Sequence, residues 1–273
     1  MVHAIRQDFR FRRGWGKAVR ATVANDFMGR FKWPESLSFP LTIGHRGASA
    51  HATENTLNAF SLASSLGAEM WELDTQLTKD GVCVVSHDDN LLRVFGIDAR
   101  ISALTASELA ALPSAQVPAF SKVAALARNL DTGLYVELKA AGTGISAWRE
   151  LEANDQSFAV LGSFNTSFVR ELRDAGCPYP LSVLVPLGVD PHEAADAAGA
   201  DIIHLCWERG GNRPQDLVTT ELLERAKNAG RGIVLWHEER PTIIDDLIGL
   251  PVLGICSDRP ELIRAAADKA AAA

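Results

Sequence analysis

Two short runs place ionisable side chains at intervals of two: Trp71-Glu72-Leu73-Asp74 and Val136-Glu137-Leu138-Lys139. Side chains alternate along a strand, so Glu72 and Asp74 share one face while Trp71 and Leu73 share the other. Glu137 and Lys139 are related in the same way. Acids turned inward on a sheet repel one another once desolvated. They take up protons, pair with cations such as Arg46 and Lys139, or are neutralised by a bound metal ion. The all-oxygen set Glu72, Asp74 and Glu137 suits one divalent ion, Mg²⁺ or Ca²⁺, better than zinc. His45 and His87 each end a strand-like run, and imidazole is the side chain best matched to proton transfer near neutral pH. A metal with two such rings can activate a nucleophile and protonate a leaving group. Arg46 offers a fork that fits phosphate oxygens and Lys139 a point charge, so an anionic phosphoryl substrate is expected.

These residues need a frame that brings them together. From residue 41 onward, eight β-branched apolar runs alternate with stretches at helical spacing. The runs are 41–45, 69–74, 134–139, 159–164, 181–185, 201–205, 232–236 and 252–257. Eight such units predict a TIM (β/α)₈ barrel of one domain over 41–273, with the acids at the C-terminal ends of the strands, where barrel active sites lie. Helices are expected at 54–66, 120–129, 145–154, 167–175, 191–198, 220–229, 243–247 and 260–270, with a frayed alanine-rich tail. About 60 residues separate the second run from the third, so an insertion over about 75–118 is expected. Lys79-Asp80-Gly81 reads as a hairpin turn that returns His87 towards Glu72 and Asp74. Thr105 and Glu108 read as a capping box on a short helix. Glu54 and Asn55 fall at the start of the first helix, where N-capping is the favoured reading and orientation of Arg46 or His45 the alternative.

Composition narrows the classes further. The formal charge is −7, but residues 1–33 carry eight Lys/Arg against Asp8 and Asp26, which is +6 before a body of −13. An acidic body argues against nucleic acid as a partner, since backbone binding needs a concentrated basic surface. Cys83, Cys177, Cys206 and Cys256 form no C-x-x-C pair and read as buried apolar residues in a reducing compartment. Charges interrupt the N-terminus, and no run approaches 20 apolar residues, so neither a signal peptide nor a membrane span is read and a cytoplasmic location is expected. In the arm 1–40, Trp15, Val19, Val23, Phe27 and Phe31 recur every four residues among basic side chains, which predicts an extra amphipathic helix. It would close the barrel base, pack on another subunit in a homo-oligomer, or make peripheral contact with an anionic membrane.

His45-Arg46-Gly47, Glu54-Asn55-Thr56, Glu72-Leu73-Asp74, Leu77-Thr78-Lys79-Asp80-Gly81, His87-Asp88 and Glu137-Leu138-Lys139 together resemble the glycerophosphodiester phosphodiesterases. Weaker echoes continue in Ser163-Phe164, Trp236 and Ser257-Asp258-Arg259-Pro260. The resemblance implies a TIM barrel and metal-dependent hydrolysis of a glycerophosphodiester to sn-glycerol 3-phosphate and an alcohol. It also implies metal ligation by Glu72, Asp74 and Glu137, acid and base roles for His45 and His87, and phosphate contacts from Arg46 and Lys139. Lysophospholipase D activity, or another phosphodiesterase activity of the same superfamily, is the alternative, and a non-catalytic binding barrel a third reading. Departures from the family pattern are Thr53 in place of proline, a short insertion after His87, and His237 after Trp236 where relatives commonly have threonine. Trp236 and Trp207 are read equally as substrate contacts or as packing, and His237 as substrate-side or structural.

Overall fold

A computed structural model describes residues 29–34, 37 and 39–272. In chain order the elements are β1 (Leu41–His45), α1 (Leu57–Ser65), β2 (Met70–Leu77), β3 (Cys83–Val85), α2 (Leu92–Phe95), α3 (Ala106–Ala110), α4 (Phe120–Asn129) and β4 (Gly133–Leu138). There follow α5 (Thr143–Ala153), β5 (Ala159–Ser163), α6 (Thr166–Asp174), β6 (Leu181–Pro186), α7 (Pro191–Ala198), β7 (Ile202–Cys206), α8 (Thr220–Asn228), β8 (Gly232–His237), α9 (Pro241–Leu247), β9 (Gly254–Ser257) and α10 (Pro260–Ala272). Eight strands pair in parallel in the order β1-β9-β8-β7-β6-β5-β4-β2, and a β1–β2 pairing closes the ring. This is the expected (β/α)₈ barrel. β3 adds antiparallel to β2 through the Asp-Gly turn, with Gly81 at φ 82°.

Strand alternation sorts the core into two layers. Outward residues such as Trp71, Leu73, Val136, Leu138, Ile203 and Leu235 pack under the helices in the main cluster. Inward residues Leu41, Ile43, Met70, Tyr135, Val160, Leu184, Ile202 and Val234 fill the barrel lumen, and Trp33 with Phe31, Leu37 and Phe39 packs against them. The predicted arm helix lies outside the described residues apart from its end at Phe31. The insertion has its own small core of Val84, Leu91, Ile101 and Leu109. Thr105 and Glu108 form the capping box on α3.

Three local expectations are corrected. The alanine-rich tail does not fray, since α10 continues to Ala272, as alanine's helix propensity favours. The first helix begins at Leu57, because Thr56 is its N-cap and accepts from the Ala59 amide. Asn55 is therefore no cap; it stands in the left-handed region at φ 58° and turns to the barrel mouth.

Candidate active site

β1 delivers His45, and the chain then turns sharply. Arg46 and Gly47 both adopt positive φ, 54° and 84°. Only glycine fits at 47, because a Cβ there would lie 2.7 Å from the Ala59 backbone carbon. The turn aims the Arg46 amide into the mouth, where it donates to Glu72 Oε2 at 3.0 Å. Its guanidinium lies 3.2 Å from Asp74 and 3.0 Å from Glu54.

β2 and β4 pair so that Asp74 is opposite Glu137. Glu72, Asp74 and Glu137 are all buried, and their nearest oxygens lie within 4.8 Å of one another. Lys139 Nζ bridges Asp74 at 3.2 Å and Glu137 at 2.7 Å. Three carboxylates thus face two cations, Arg46 and Lys139. Burial pushes Asp74 up, but Lys139 and Arg46 outweigh it and hold this carboxyl below its usual range. Glu72 bears the mismatch: burial, then Asp74 and Glu137, raise it well above normal. Glu137 rises to about 7, through burial and then Asp74. An excess of buried negative charge on hard oxygen donors fits a divalent cation.

His87 follows β3. Ser86 donates its amide to the Asp74 carbonyl, and Gln76 Nε2 donates to the His87 carbonyl, so the hairpin fixes His87 beside β2. His45, Arg46, Glu72, His87, Glu137 and Lys139 line one cleft of about 300 Å³, with Phe164, His204 and His237 on its other walls. Asp74 lies beneath the cleft surface. Trp236 touches the cleft but is 1% exposed and packs in the main core, while Trp207 does not line it.

Several residues at this mouth were not singled out by spacing. Asp258, after β9, is 2.6 Å from His45 Nδ1. Asp88 is 2.6 Å from His87 Nδ1. Each carboxylate fixes one ring nitrogen and leaves Nε2 for exchange. Burial lowers the His45 pKa, with Asp258 acting against it. Asn55 donates to Asp74 Oδ2 at 2.8 Å. Arg93, from the insertion, grips Glu54 with two hydrogen bonds of 2.9 and 2.7 Å and also reaches Asp88. The Asp88 and Asp258 signals were present in His87-Asp88 and Ser257-Asp258, but only three dimensions pair Asp258 with a histidine 213 positions away.

His45, His237 and Asp258 form a second group with close ligand atoms. The two rings are parallel within 4°, with centroids 4.7 Å apart. Lone pairs lying in parallel planes do not converge on one ion, so the acidic trio is the better metal site.

A parallel barrel with a carboxylate cluster and two carboxylate-held histidines at its C-terminal mouth defines a metal-dependent hydrolase class. Residues 45–262 match the model of the glycerophosphoryl diester phosphodiesterase family, and the chain belongs to that family. It is an enzyme that hydrolyses glycerophosphodiesters. A glycerophosphodiester phosphodiesterase of Caldanaerobacter subterraneus is 28% identical over 243 residues, covering 82% of this chain and 96% of that protein. A human lysophospholipase D is 48% identical over 67 residues, 24% of this chain and 21% of that one. Among solved structures, a Thermotoga maritima glycerophosphodiester phosphodiesterase superposes with TM-score 0.68 at 26% identity, covering 84% of this chain and 99% of that one. An Oleispira antarctica phosphodiesterase in complex with its product sn-glycerol-3-phosphate gives TM-score 0.70 at 23% identity, with 83% and 96% covered.

Proposed function

We propose that the chain releases sn-glycerol 3-phosphate and an alcohol, using one Mg²⁺ or Ca²⁺ held by Glu72, Asp74 and Glu137, with His45 and His87 as the acid/base pair. The observation that carries this reading is the meeting of all five side chains at one mouth, with each histidine's Nδ1 held by its own carboxylate. Bound there, a divalent cation offsets phosphoryl charge and acidifies the attacking hydroxyl. Asp258 and Asp88 retain the Nδ1 protons, so proton transfer runs through the two Nε2 atoms, one ring accepting from the nucleophile and the other donating to the departing alkoxide. Arg46 and Lys139 bind the phosphate oxygens, the one as a fork and the other as a point charge. Trp236, largely packed, contributes at most an edge to the substrate.

Residues 41–273 form the catalytic unit and 1–40 a basic arm of which Phe31, Trp33, Leu37 and Phe39 pack at the barrel base. No helix among the described residues is long and apolar enough to cross a membrane. The four unpaired cysteines suit a cytoplasmic, reducing compartment.

Metal-stripped enzyme should regain glycerol 3-phosphate release from glycerophosphocholine and glycerophosphoethanolamine when Mg²⁺ or Ca²⁺ is restored. His87→Ala should lower kcat by about 10²-fold or more while metal affinity, read by calorimetry, stays near wild type. Unchanged turnover removes His87 from the mechanism.

A second reading, lysophospholipid hydrolysis, is favoured by exposed Phe164, Leu187 and Val189, which follow the adjacent strands β5 and β6 at the mouth and offer apolar surface to an acyl chain. It predicts a higher kcat/KM for lysophosphatidylcholine than for glycerophosphocholine, and the reverse ratio rejects it.

A further inference from the structure

The pairing of β8 with β9 contains an irregularity. Leu235 pairs with Ile255, but the next partner of Cys256 is His237 rather than Trp236, so β8 carries one extra residue at the mouth. Strict alternation from inward Val234 and outward Leu235 would turn Trp236 inward and His237 outward. A bulge bends the strand and re-aims the side chain that follows it. Here it brings His237 into the cleft, flat against His45, with ring centroids 4.7 Å apart and planes 4° from parallel.

Glu239 ties the assembly together. One oxygen lies 3.7 Å from His237 Nδ1, and the other accepts from the Asp258 amide at 2.9 Å. Asp258 in turn holds His45 Nδ1 at 2.6 Å. His45 is thus constrained twice over. A hydrogen bond sets its rotation about the ring axis, and a stacked face sets its plane. Its Nε2 faces the acidic cluster, 3.9 Å from Glu72.

We propose that His237 is a positioning residue for hydrolysis: its stacked ring holds the His45 imidazole in the plane from which Nε2 meets the phosphodiester. This rests on the reading of His45 as one of the acid/base pair. Tilt of an exchanging nitrogen lengthens the proton-transfer distance in the transition state, while substrate binding depends on the metal site and the Arg46 and Lys139 cations. The effect therefore falls on kcat and not on KM.

The test compares His237→Ala, His237→Phe and His45→Ala, with the double variant His45→Ala/His237→Ala, in the metal-loaded full chain on glycerophosphocholine. His237→Ala should lower kcat about 10-fold with KM within about 2-fold, and His237→Phe, which keeps a flat ring, should recover most of the loss. The double variant should be no slower than His45→Ala. If His237→Phe is as slow as His237→Ala, if KM moves instead of kcat, or if the two losses multiply in the double variant, the positioning role is overturned. Full activity of His45→Ala would overturn the role of His45 itself, a distinct result. Thermal melts of each variant separate an unfolded protein from a misplaced ring, and His237→Phe keeps the test decisive if His237→Ala does not fold.

Discussion

The barrel interior changes character along its axis. At the base, inward positions are Leu41, Ile43, Met70, Tyr135, Ile202 and Val234, sealed by Trp33. One or two pleats higher, the same strands turn inward His45, Glu72, Asp74, Glu137 and His204. Each base residue lowers the free energy of folding by leaving water, at about 25 cal/mol per Å² of apolar surface. The mouth residues gain little of this. Three buried carboxylates share two cations, and burial with mutual repulsion pushes the pKa values of Glu72 and Glu137 up. One set of strands therefore supports two regimes, an apolar base that stabilises the fold and a mouth that keeps an internal repulsion.

That contrast can be broken at either end. The largest expected effect is at the base, where Ile202→Ala should cost about 3 kcal/mol of unfolding free energy in denaturant melts, through lost burial and a cavity. Turnover per folded molecule should stay at the wild-type value, and a parallel fall in kcat would show that base and mouth are mechanically coupled.

Next comes the transition between the regions. Burial and then the nearby His45 hold the His204 pKa down to about 3, against about 6.5 for a free histidine. Below pH 6.5 the unfolded chain binds a proton that the folded chain refuses, so this contribution to stability is complete above 6.5 and is lost as pH falls towards 3. Between pH 7 and 5 wild type should lose about 2 kcal/mol more than His204→Leu. Equal losses in the two proteins would assign the acid sensitivity to other groups.

The smallest effect carries the opposite sign. Glu72→Gln keeps the shape of the carboxyl without the cost, set by its raised pKa, of either protonating it or burying its charge at pH 7, so metal-free protein should gain about 1 kcal/mol. The same variant should lose metal affinity and activity. Destabilisation of the metal-free form would mean that Glu72 is better compensated than its neighbours suggest.

Much of this was legible in the sequence because it depends on local rules. Alternation placed Glu72, Asp74 and Glu137 on one face, eight repeating units gave the barrel, and Asp80-Gly81 returned His87 to β2. Asn55 suits a cap by its type, the favoured of its two readings, but Thr56 takes the cap and frees Asn55 for Asp74. Arg93 carries no local signal at all. Its guanidinium matters because the insertion folds back over Glu54.

The strand and helix periods, the inward acids and the motif order are written along the chain, since each follows from chemistry within a few residues. Tertiary structure decided which carboxylate holds which histidine, which of the three acids bears the unmatched charge, and that a one-residue bulge turns His237 onto His45. Those outcomes depend on ring closure and strand register, which bring β9 beside β1 from the far end of the chain and which no local pattern encodes.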